Sequence, residues 1–137
     1  MCMTLYVASD KPLPLINWNE SNPNFNVTEL DESSQSVRKQ FSKPHVYYLG
    51  SHQCCGCGFN YGQYDYGEEE DKASRKSVRR LAEYLSQSVN NAGPLELYSC
   101  WSGDEEDELE FHEEWKTKEI SGETFWFQER QFIKITN

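Results

Sequence analysis

The segment His52-Gln53-Cys54-Cys55-Gly56-Cys57-Gly58 holds three of the five cysteines in the chain. Cys54 and Cys57 form a C-x-x-C pair, and Gly56 and Gly58 allow the backbone to wrap tightly enough to bring two sulfurs to one point. Thiolates are soft donors, so this pattern suits zinc or another soft metal. A four-donor zinc site would use Cys54, Cys57 and Cys100, with Cys55 or His52 as the fourth ligand. One C-x-x-C is only half of the paired signature of a zinc knuckle. A redox dithiol is the second reading, and it needs a stabilised thiolate, commonly at a helix N-terminus. Here the next helix begins about eleven residues beyond Cys57, past Gly58, Gly62 and Gly67, which departs from the thioredoxin arrangement. Small buried thiols closing a tight loop are the third and plainest reading.

Other residues carry weaker chemistry. Tyr61, Tyr64 and Tyr66 follow the thiol loop and would either stack over a site or close the core with wet hydroxyls. Removal of Met1 would expose Cys2 as an N-terminal thiol nucleophile. In this Met1-Cys2 is similar to the start of glutamine amidotransferases, a similarity that ends at Met3, where glycine often follows. His45, His52 and His112 have no base or orienting partner legible in the sequence. Lys72, Arg75, Lys76, Arg79 and Arg80 make a basic helix face, read as a solvated surface paired with nearby acids. Residues 104–114 hold eight acids and no lysine or arginine, without the D-x-D-x-D-G spacing of a calcium loop.

The elements that position these residues follow from periodicity. Leu5 and Val7 predict a first strand near residues 3–8, and Phe25, Val27 and Leu30 a short edge strand. Between them, Pro12, Pro14 and Pro23 with many Asn and Ser predict a long surface loop. Asp31 caps a short helix running to Gln40, and Val46-Tyr47-Tyr48-Leu49 reads as a buried central strand. Val78, Leu81, Ala82, Leu85 and Val89 form one apolar stripe on a helix over 69–91, which Gly93-Pro94 stops. Residues 95–101 alternate as the next strand, so strand, helix and strand compose a βαβ unit. Both strand ends then share one sheet edge, which would bring Cys100 near the thiol loop. Period-two alternation from Leu109 to Thr117, a turn at Ser121-Gly122-Glu123 and a return over Phe125–Ile135 predict a C-terminal β-hairpin. The interruption Gln128–Gln131 marks a bulge or a division of that last strand.

The expected fold is therefore a single α+β (or α/β) domain with a mixed sheet, one βαβ unit and one long helix. At 137 residues the chain is of one-domain size, and 19 aromatic rings compensate for only 27 Leu, Ile, Val and Phe residues. A net charge of −10 opposes contact with phosphate backbones and anionic lipid, so neither nucleic acid nor membrane is an expected partner. Neither an apolar run of spanning length nor a secretory signal is visible, and thiol-rich chains suit a reducing compartment, so a cytoplasmic location is expected. The expected function is a non-enzymatic interaction or inhibitor-type domain whose acidic loop and hairpin face a basic protein. Bacterial immunity-type inhibitors share that broad description. The alternative is a metal-binding or thiol-redox protein built on the Cys54–Cys57 loop and Cys100.

Overall fold

A computed structural model describes residues 2–21, 23–60, 67–120 and 126–137. Among these residues six strands form one mixed sheet: β1 (Met3–Ser9), β2 (Asn26–Glu29), β3 (His45–Gly50), β4 (Leu95–Trp101), β5 (Phe111–Lys116) and β6 (Gln131–Thr136). Their spatial order is β2-β3-β1-β4-β6-β5. One long helix, α1 (Glu68–Ala92), connects β3 to β4. The α+β single domain with a mixed sheet and one long helix is thus the architecture.

β1 is buried along all seven of its residues, as befits a central strand covered on both faces. Leu5 and Val7 join the α1 side, where Val78, Leu81 and Leu85 are wholly buried and Val89 packs at the margin. Tyr6 and Ala8 point the other way, into a smaller cluster with Val37, Val46, Tyr98 and Cys100. The apolar stripe of α1 therefore docks as its spacing predicts. Gly67 and Gly93, at φ of 99° and 82°, bound the helix, and the Gly93 N–H closes onto the Val89 carbonyl. Four acids in its first turn suit the positive end of the helix dipole.

β3 and β4 run in the same direction, because each is antiparallel to β1. They are not neighbours, since β1 is inserted between them and the βαβ unit is split. The residues after Asp31 form a 3₁₀ helix, Glu32–Gln40, rather than an α-helix. Its apolar content explains this, because only Val37 is buried to anchor it.

The C-terminal hairpin is corrected to a parallel strand pair. β5 and β6 are parallel, with Phe111 opposite Gln131 and Lys116 opposite Thr136. The chain leaving β5 must therefore travel back along the sheet before β6 begins. Ile120 and Phe127, both buried in the α1-side core, anchor that return. The turn at 121–123 and Phe125 lie outside the described residues. At Gln128–Gln131 the described residues show neither a bulge nor a divided strand: 126–130 are not strand, and β6 starts only at Gln131, after Arg130 adopts a φ of 52°.

Candidate metal centre

Because β1 is antiparallel to both neighbours, its start lies at the sheet edge where β3 and β4 end. Cys2 immediately precedes β1, so it arrives beside the thiol loop that leaves β3. That loop turns around Ser51, which is fully buried. The Ser51 hydroxyl donates to the Cys55 carbonyl at 2.6 Å and accepts the N–H groups of Gly58 at 3.1 Å and Gln53 at 3.2 Å. The Ser51 N–H reaches the same Cys55 carbonyl at 2.8 Å, and the Cys54 N–H bonds the Ser51 carbonyl at 2.9 Å. Cys54 stands at the tip with a φ of 68°.

The two glycines act by close approach. A Cβ on Gly56 would lie 2.9 Å from the Met3 carbonyl oxygen, and one on Gly58 would lie 2.3 Å from the Ser51 hydroxyl. The 3₁₀ turn Gly56–Phe59 can therefore lie flat on the start of β1. Phe59 anchors it in the core, with its ring 6.1 Å from Phe25 and 6.3 Å from Phe127. The Met3 N–H donates to Cys57 Sγ at 3.2 Å and ties that sulfur to the start of β1.

As a result the sulfurs of Cys2, Cys55 and Cys57 all lie within 4.8 Å of one another. A tetrahedral zinc with bonds of ~2.3 Å holds sulfurs ~3.8 Å apart, so small side-chain rotations close the set. Burial, followed by the neighbouring Cys57 and Cys2 sulfurs, pushes the Cys55 thiol up to about 12. A divalent cation would reverse that balance by pairing with the thiolates.

The sulfurs brought together differ from the donor set the sequence suggests. Cys55 and Cys57 enter the cluster, whereas Cys54, Cys100 and His52 do not. Cys54 is exposed, and its carbonyl accepts the Tyr48 hydroxyl at 2.9 Å. Cys100 is wholly buried in β4 across from Thr4, whose hydroxyl lies 3.3 Å from its Sγ. Burial raises the Cys100 thiol to about 12 as well. His52 has both ring nitrogens occupied: Nδ1 is 2.9 Å from the Ser77 hydroxyl and Nε2 is 2.7 Å from Glu70. Ser77, His52 and Glu70 have the composition of a hydrolytic triad, but Ser77 is fully buried in α1. They clamp the loop to the helix instead. Partial burial raises the Glu70 carboxyl, yet bonds from His52 and Gln53 and the His52 charge outweigh it, so the net displacement is downward.

Cys2 is the member of the sulfur cluster for which the sequence points to other chemistry. The signal for it was the unbroken apolar run Leu5-Tyr6-Val7-Ala8, which marks β1 as a central strand. A central strand antiparallel to β3 and β4 must present its first residues where those strands end.

A cleft of about 420 Å³ adjoins the thiols on the sheet face opposite α1, lined by Cys2, Cys55, Tyr6, Tyr48, Glu29 and Glu105 among others. Glu105 is buried there and accepts the Tyr6 hydroxyl and the Gly103 N–H, each at 3.0 Å. Tyr61, Tyr64 and Tyr66 lie outside the described residues. In the acidic segment Glu106 pairs with Lys39 and Glu110 with Arg130, each at 2.7 Å. Lys72, Arg75, Lys76, Arg79 and Arg80 are all exposed, with Lys72 paired to Glu68 at 3.6 Å. Among the described residues no helix is long and apolar enough to cross a membrane. Comparison with family models, with curated proteins and with solved structures finds no match.

Proposed function

We propose that this chain binds a soft divalent metal, zinc being the fitting ion, through Cys2, Cys55 and Cys57. The observation that carries this reading is the convergence of three sulfurs within 4.8 Å from two separate parts of the chain. The metal would staple the start of β1 to the loop after β3 and add stability in proportion to the logarithm of its concentration over its Kd. The redox alternative would pair Cys54 with Cys57, and it is disfavoured because Cys57 joins Cys2 and Cys55 while exposed Cys54 stands outside that group. Five unpaired cysteines suit a reducing compartment, so we place the protein in the cytosol.

Native mass spectrometry during zinc titration tests the assignment. One zinc per chain is expected, abolished or strongly weakened by Cys2→Ser, Cys55→Ser or Cys57→Ser and retained in Cys54→Ser and Cys100→Ser. Retention in all three of the first group, or no zinc in the unaltered protein, would overturn it.

A second reading, an acidic surface for a basic protein, is favoured by Asp104. Desolvation, then the charges of Asp107, Glu129 and Glu105, raise its carboxyl from its ordinary value against the opposing pull of Arg130. A cationic partner would relieve that crowding. Capture of no basic protein at low salt, where surface charge is least screened, would count against it.

A further inference from the structure

We propose that the fourth coordination position of this centre opens into the adjoining acidic cleft and takes an exogenous, neutral or cationic ligand, with an amine-bearing thiol as the fitting class. The inference rests on the metal reading above and adds to it what completes the shell.

Among the described residues, no fourth His, Cys, Asp or Glu shares the reach of the three sulfurs. Cys54 is next to Cys55 in sequence, but it lies exposed at the loop tip with its carbonyl tied to Tyr48. The three donors are unequally placed. Cys57 is held from the strand side by the Met3 N–H, whereas Cys2 and Cys55 line the cleft. An ion bridging them therefore has protein behind it and the cleft in front. With about 420 Å³ against ~30 Å³ for a water molecule, the cleft accommodates a small organic ligand as well as water.

The charge of the cleft selects among such ligands. Glu29, Asp31 and Glu105 line it, and no Lys, Arg or His does so among the described residues. Glu105 is 8% exposed, and its two partners, the Tyr6 hydroxyl and the Gly103 N–H, are both neutral. Bonds from Ser33 and Ser34 keep Asp31 ionised by lowering its carboxyl. Zinc(II) with three thiolates adds a net charge of about −1. An anionic ligand is therefore repelled from both sides, and an ammonium group is attracted to the carboxylates while its thiol faces the metal. On binding, the ligand's S–H proton passes to solvent and a metal–sulfur bond replaces the metal–water bond. Tyr48 also lines the cleft.

The test uses the full chain loaded with cobalt(II), whose visible spectrum reports the coordination shell, with cobalt retention checked by desalting. Cysteamine, 2-mercaptoethanol and 3-mercaptopropionate are titrated at one pH, with each concentration expressed as that of its thiolate so that the thiols' own acidities cancel. Cysteamine should change the spectrum at a concentration at least about tenfold below that of mercaptopropionate, with mercaptoethanol between them. Glu29→Gln, on the exposed rim, and Glu105→Gln should each narrow that gap, and Cys54→Ser should leave spectrum and titration unchanged. An equal or reversed preference, no response to any thiol, or a spectrum that depends on Cys54 would overturn the inference while leaving metal binding intact. Failure to bind cobalt at all would overturn the metal reading and this inference with it.

Discussion

Ser51→Ala removes one oxygen atom from the hub of the thiol loop, and its cost can be worked from the bonds that oxygen makes. The Cys55 carbonyl loses a 2.6 Å bond but keeps the Ser51 N–H at 2.8 Å. Gln53 is exposed, so water replaces the hydroxyl at its N–H. Gly58 is buried, and its N–H loses the 3.1 Å bond to the hydroxyl. An orphaned buried donor costs ~1–3 kcal/mol and a lost neutral bond ~1 kcal/mol, giving about 2–4 kcal/mol in all. Against a total stability of ~5–15 kcal/mol this is a large fraction. Urea unfolding of metal-free protein should show the loss as a lower midpoint at constant slope. Zinc affinity should fall with it, because Cys55 and Cys57 are placed by the same turn. A change below about 0.5 kcal/mol would mean that Ser51 does not organise the loop.

Three further outcomes follow from the same geometry. Leu81→Asp or Leu85→Asp puts an unpaired carboxylate into the wholly buried α1 face and should cost several kcal/mol, whereas exposed Lys76→Asp should change stability by under ~0.5 kcal/mol; equal tolerance in denaturant titration would show that α1 is not docked on this face. Glu70 has a lowered carboxyl in the folded state, so its contribution is present above its unfolded value of ~4.3 and is lost as pH falls through the folded value. Glu70→Gln should therefore flatten the acid limb of the stability–pH curve, and coincident limbs would rule out the clamp with His52. Iodoacetamide should label exposed Cys2 and Cys54 quickly and buried Cys100 only on unfolding. Zinc should protect Cys2 and not Cys54, and equal protection of both would contradict the donor set.

Much of the fold was legible because the periodicities were unambiguous. The stripe from Val78 to Val89 could bury one face only, and the run Val46–Leu49 could only be an interior strand. Direction was legible where connection length constrained it: the long helix between β3 and β4 makes them point the same way. Strand order was not, because nothing local in Met3–Ser9 says that it inserts between β3 and β4. That insertion replaces Cys100 with Cys2 beside the thiol loop. β4 turns Cys100 towards Thr4 and the cluster on the sheet face opposite α1. The C-terminal pair was misread for a similar reason. Alternation in Phe111–Lys116 marks a strand but carries no direction, and the burial of Ile120 and Phe127 makes the chain return before pairing. His52 was a reasonable ligand by type, yet Ser77 and Glu70 on α1 occupy both its nitrogens, partners that only the docked helix reveals.

The most direct test of the central claim is the zinc-edge X-ray absorption spectrum of the zinc-loaded full chain, which counts the atoms bound to the metal. Three sulfurs at about 2.3 Å and one oxygen or nitrogen at about 2.0–2.1 Å are expected, falling to two sulfurs in Cys2→Ser if the remaining pair still holds the ion. A shell dominated by oxygen and nitrogen, or a sulfur count unchanged by Cys2→Ser, would contradict a centre built from Cys2, Cys55 and Cys57.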